Sequence, residues 1–285
     1  MNNYTGKGLA KHLSRGPDKV HMQLIFDFLV RQIAMVERIL WTLTFAAQLV
    51  LLVVLLGRNR ARRYPWFTAG IALLALQLMT EELLNGRMAK LPLGEILITL
   101  GDLLAIMGLL VVVEMARSAF AGVKRSIGIV NTVGLLAVAG GLLPIMGPWP
   151  VWKNLALNTL LGKLQLMQLA AQKGELLVAL LTVGLGVLVV LFGRKFKAGW
   201  RSHTQSIVIG LFAVAVSLLA LEVVVLRTFH YTQAESASVM RLRLSFALAN
   251  ELVYIAALVW WITWLWQDEP GTTALAASAA TEEKR

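Results

Sequence analysis

The sequence predicts an all-α fold, a polytopic membrane helix bundle with seven transmembrane helices, and three observations carry that prediction. Hydrophobic residues make up 58% of the 285 positions and charged residues 15%, where a soluble domain carries about 25% charged residues. Mean hydropathy is +0.70. Seven stretches reach the roughly 20 predominantly apolar residues that a membrane-spanning helix needs. Helices are the expected form, because open strands leave backbone groups unsatisfied in lipid. No alternating ten-residue pattern suggests a β-barrel. Disorder is excluded by the hydrophobicity. The absence of cysteine excludes disulfides, iron–sulfur clusters and thiolate zinc sites.

The expected spans are 39–57, 65–84, 96–116, 126–147, 175–193, 205–227 and 244–266. Span one is too long for a signal-peptide core and has no small-residue cleavage site after it. Span two opens at Pro65, a residue tolerated in the first helical turn. Gly101, Ala105 and Gly108 in span three suit close helix packing, as do Gly134, Gly140 and Gly141 in span four and Gly184 and Gly186 in span five. Arg58, Arg60, Arg62 and Arg63 follow span one. Arg117, Lys124 and Arg125 follow span three, and Arg194, Lys195, Lys197 and Arg201 follow span five. The positive-inside rule places these loops in the cytoplasm, so the N-terminus is expected outside and the C-terminus inside.

The segment 1–38 is polar and amphipathic and carries six Lys/Arg, a poor composition for export. A true start at Met22 or Met35 would remove that conflict. Between spans four and five, residues 148–174 are expected to hold an interfacial amphipathic helix. Asn154, Asn158, Gln165, Gln168 and Gln172 fall within about 80° on a helical wheel, with leucines and Met167 over most of the rest. Such a helix lies in the interface with its amide stripe toward water, or lids a pocket beneath it. The tail 267–285 is small and polar and is expected to be disordered and cytoplasmic.

Ionisable residues inside apolar spans cost roughly 2.5–3.5 kcal/mol each at a helix centre, so their positions are informative. Gln77, Glu81 and Asn85 form one stripe on span two. Glu95, Thr99 and Asp102 are at helical spacing on span three, Glu222 is on span six, and Asn250, Glu251 and Tyr254 are on span seven. By helical rise, Glu81 lies about 5 Å below the outer end, Asp102 and Glu222 about 10 Å, and Glu251 about 12 Å. Four carboxylates from four helices are thus expected to converge on an outward-facing acidic pocket. The candidate ligand-or-proton site is Gln77, Glu81, Asp102, Glu222, Asn250, Glu251 and Tyr254, with Asp102 and Glu251 deepest. The structural alternative makes these residues interhelical glue, paired with Arg227, His230, Arg241 or Arg243.

The run Arg60-Ala61-Arg62-Arg63-Tyr64-Pro65-Trp66-Phe67, with the spans around it, resembles uncharacterised seven-span bacterial integral membrane proteins over the first third of the chain. That resemblance implies a multi-pass protein of the bacterial inner membrane and no activity. Glu81-Glu82-Leu83-Leu84-Asn85-Gly86-Arg87 resembles the EExxxR motif of CAAX-type prenyl endopeptidases. Its spacing is one residue too long, and the partner motifs FxxxH and HxxxN are missing. His203 and His230 stand about 40 Å apart by helical rise, so one haem cannot use both. No lysine in the last span offers a retinal Schiff base, and no Walker, Rossmann or nucleophile-elbow pattern appears. The expectation is therefore a non-enzymatic protein without a cofactor. It would bind a small cation or amine, or protons, in a receptor-like or transport-like manner. The alternative is a non-catalytic accessory subunit of a larger membrane complex. The basic loops are topology determinants with a lesser attraction for anionic lipid; nucleic acid is not an expected partner.

Overall fold

The computed structural model describes residues 17–120, 134, 138–143, 159–192, 202–231 and 237–268. Among these residues the fold is all-α. The helices are α1 (Pro17–Gly57), α2 (Pro65–Leu84), α3 (Lys90–Ala119), α4 (Leu160–Phe192), α5 (His203–Tyr231) and α6 (Ala237–Trp266), with a 3-10 turn at Arg60–Arg62. Six helices are long and apolar enough to cross a membrane: Arg38–Gly57, Pro65–Leu84, Leu91–Ala119, Leu160–Leu191, His203–Val224 and Leu244–Trp266. Each matches an expected span. Expected span four, 126–147, is helical at 134 and 138–142, and the rest of it lies outside the described residues.

The chain divides into two units, Met1–Leu43 and Thr44–Arg285. In the first, the described residues are helical, and the Thr42 hydroxyl donates to the Arg38 carbonyl at 2.8 Å, one turn back along the helix. Met35, Ile39 and Leu43 are exposed apolar side chains of this unit.

Within the second unit, α2 packs on α3, α3 on α4, α4 on α5 and α5 on α6, with α3 also reaching α5. The α3–α4 seam is built from small residues. A Cβ on Gly174 would stand 2.7 Å from the Ala105 Cβ, one on Gly108 2.9 Å from Val178, and one on Gly101 3.6 Å from Ala171. Gly101, Ala105 and Gly108 therefore do the packing that their spacing predicts.

One expected element is corrected. Residues 160–174 do not form a separate interfacial helix, because from Leu160 onward the chain runs without interruption into the next span as α4; 148–158 lies outside the described residues. Gly174 was the one residue at the junction able to break the pattern. It stays helical because the missing side chain lets α4 approach Ala105, so tertiary packing overrides the weak helix propensity of glycine.

At one end of the bundle, the sequence around the Arg-rich turn accounts for its own geometry. Tyr64 is fully buried, and its hydroxyl meets the Thr204 hydroxyl of α5 at 2.9 Å. Pro65 starts α2, and the next free N–H groups, those of Trp66 and Phe67, go to the Glu114 carboxylate of α3 at 3.2 and 2.9 Å. A helix N-terminus leaves such donors orphaned; here a carboxylate from a neighbouring helix caps them. Arg58 pairs with Asp268 at 3.3 Å and lies over the Trp266 ring, tying the end of α1 to the end of α6. Gln267 and Asp268 of the expected tail are thus held at this end, and 269–285 lies outside the described residues. At the opposite end, the α2–α3 turn carries Gly86 at φ +79°, a conformation glycine adopts without a Cβ clash.

Candidate functional site

The five helices α2 to α6 enclose a cavity of about 860 Å³, within the size range of small-molecule sites. Its lining follows one stripe per helix. On α2 the stripe is Phe67, Gly70, Ile71, Leu74 and Gln77, and on α3 it runs from Leu97 through Gly101, Ala105 and Gly108 to Val112. Spacings of three and four residues put each set on one helical face.

The floor is apolar. Phe67 and Trp261 meet edge to face with ring centroids 5.2 Å apart at 85°, a favoured aromatic geometry. The Trp261 indole N–H donates to the Ile207 carbonyl at 3.3 Å, so its polar edge is already satisfied. Val111 and Val112, both buried, complete this end. Thr182 contributes no free donor there, since its hydroxyl returns to the Val178 carbonyl at 2.7 Å.

Polar side chains gather at the other end. Gln77 of α2, Gln168, Gln172 and Glu175 of α4, and Asn250, Glu251 and Tyr254 of α6 all line the cavity. Asn250 accepts from the Ser217 hydroxyl of α5 at 2.6 Å. Tyr254 stands between the two ends and accepts from the Gln48 amide of α1 at 3.0 Å. Starting from the Phe67–Trp261 pair, α2 climbs ten residues to Gln77 and α6 runs back ten residues to Glu251. Ten residues of helix correspond to about 15 Å along the bundle axis. The cavity is therefore amphipathic along its length. Among the described residues its charged lining side chains, Glu175 and Glu251, are both acidic.

Of the seven residues the sequence nominates, Gln77, Asn250, Glu251 and Tyr254 come together on the cavity wall. Glu222 stands just outside the lining, on α5 after Leu221, within electrostatic range of Glu175 and Lys173. Glu81 is exposed near the end of α2 and does not line the cavity. Asp102 is half-buried and also absent from the wall, although its neighbours Gly101 and Ala105 are on it. The reason is angular: Glu95, Thr99 and Asp102 share a stripe rotated about 100° from the seam-forming glycine face, and Glu95 and Thr99 are exposed. The side chains of Arg227, His230, Arg241 and Arg243, considered as partners for these carboxylates, lie outside the described residues.

Sequence reasoning missed Glu175 because it took position 175 as the outer boundary of a span. Once α4 extends back to Leu160, Glu175 becomes a mid-helix carboxylate on the cavity face. The amide stripe gave a usable signal. Gln168 and Gln172 line the cavity, Gln165 is exposed and does not, and Asn154 and Asn158 lie outside the described residues. Among the described residues no group of three or more His, Asp or Glu side chains is placed to hold a metal ion. No family model, curated protein or solved structure matches the chain.

Proposed function

We propose that this chain is a seven-span inner-membrane protein, N-terminus outside and C-terminus inside, that binds a small organic cation in its interhelical cavity. The observation that carries this reading is the lining itself: among the described residues Glu175 and Glu251 are its charged groups, and both are acidic. In a low-dielectric bundle, carboxylates facing a ligand-sized space favour a positively charged guest. Gln77, Gln168, Gln172 and Asn250 supply neutral donors and acceptors around it, and among the described residues no metal cluster accompanies them. Binding without chemistry is the economical reading.

Orientation rests on Arg58, Arg60, Arg62 and Arg63, which cluster at the floor end of the bundle. The positive-inside rule then opens the polar end of the cavity to the outside. The chain has no cysteine of its own, so single substitutions Asn85→Cys and Arg62→Cys report topology without background. A membrane-impermeant maleimide applied to intact cells is expected to label the first and spare the second. Labelling of the second alone would reverse the orientation.

The binding test uses the protein in nanodiscs, titrated calorimetrically with butylamine against empty nanodiscs, and with butanol as the neutral control. Saturable amine binding that falls at least tenfold in Glu251→Gln and Glu175→Gln is the expected result. No saturable binding would leave the non-catalytic accessory subunit as the better reading.

A further inference from the structure

We infer that the ligand is amphiphilic: a cationic head held by Glu251 and Glu175, and an aliphatic tail lying on the Phe67–Trp261 floor. This rests on the cation-binding reading above and adds the class of molecule. A small hydrated cation needs a compact polar cage. The cavity instead continues for about 15 Å below Glu251, by helical rise, over a surface of Gly70, Ile71, Val111, Val112 and Trp261. Water gains little there, since a buried water needs two to four polar partners, and the polar groups at that end are already committed. Thr182 bonds within its own helix and Trp261 bonds Ile207. An apolar guest loses nothing at such a surface and gains the burial of each methylene. Tyr254 marks the boundary between the two halves, with its hydroxyl engaged by Gln48 and its ring available to the upper part of a tail.

The chemistry that fits is a primary or quaternary amine on a saturated chain, whether it arrives from the outer leaflet or from solution. The two sources share one recognition pattern. Adding the amine from the aqueous side or pre-loading it into the lipid separates them by rate without changing affinity.

The test is a chain-length series of butylamine, hexylamine and octylamine on the protein in nanodiscs, each corrected for partition into empty nanodiscs. Affinity is expected to rise by about fourfold per added methylene, the factor that corresponds to transfer of one CH₂ out of water. Ile71→Phe and Val111→Phe each place extra carbons on the floor. Either variant is expected to flatten the series at its long end, lowering octylamine affinity far more than butylamine affinity. Two substitutions on different helices guard against one failing to fold, and a cooperative thermal transition reports an intact fold. A series that stays flat in the unsubstituted protein while butylamine binds would overturn the amphiphile and keep the cation reading. Equal affinity for alkanols and amines of the same length would overturn the cation reading and keep the apolar floor. A rising series that Ile71→Phe and Val111→Phe both leave untouched would place the tail elsewhere and overturn the inference.

Discussion

The carboxylate of Glu114 on α3 accepts the backbone N–H of Phe67 on α2 at 2.9 Å, and its other oxygen takes the N–H of Trp66. One side chain thus fixes both the start of α2 and its height against α3, which in turn sets Phe67 on the cavity floor. The positive end of the α2 dipole adds to the attraction for this carboxylate. Glu114→Ala is expected to destabilise the protein by about 1–3 kcal/mol, the cost of leaving the N–H of buried Phe67 without an acceptor. Glu114→Gln keeps one acceptor oxygen and should lose less. Thermal unfolding in detergent, followed by tryptophan fluorescence, checks the order.

Gln48 is 1% exposed, and its amide donates to Tyr254 while its carbonyl oxygen has no partner among the described residues. Such a group is expensive when stranded. Tyr254→Phe removes the one acceptor and should cost about 1–3 kcal/mol. The double variant Gln48→Leu/Tyr254→Phe replaces both partners with apolar groups and is expected to recover most of that loss. Unfolding midpoints of the two single variants and the double one test the coupling; simple additivity would show that the bond contributes nothing.

Most of the fold was legible because hydrophobic runs of about 20 residues leave a chain few options in lipid. Three things were not. Helix continuity through Gly174 depends on a contact with Ala105 that no local pattern encodes. Glu114 caps a helix other than its own, and tertiary capping leaves no signature at short sequence range. In the candidate site, depth was readable from position along each span, which is why Glu251 and Gln77 were found. Angle was not, since the bearing of a helix toward its neighbours is fixed by packing. Asp102 therefore stands off the cavity wall at nearly the depth expected for it, and Glu175, one turn after Ala171 on the seam, stands on it.

Gly174 lets α4 approach α3 until a Cβ there would lie 2.7 Å from that of Ala105. Gly174→Ala gains about 0.8–1 kcal/mol of helix propensity but forces overpacking that costs roughly 1–3 kcal/mol. The clash should win, and the variant should melt lower. Moving the methyl across the seam, in Ala105→Gly/Gly174→Ala, keeps both composition and volume and is expected to restore most of the stability. Melting of the pair against each single variant decides whether the seam, or glycine content alone, controls it.

The carboxylates separate by position on the wall. Glu251 and Glu175 line the cavity, while Asp102 lies on the stripe shared with exposed Glu95 and Thr99. Glu251→Gln and Glu175→Gln are each expected to weaken amine binding at least tenfold, or about 1.4 kcal/mol. The figure is modest beside a full Coulomb interaction because water entering at the polar end screens part of the charge. Asp102→Asn should leave binding within twofold, despite its comparable depth. Its removal tests the geometry directly: a loss as large as that of Glu251→Gln would show that depth in the membrane, and not the helical face, selects the groups that hold the ligand. Calorimetric titration of the three variants under one set of conditions gives the comparison.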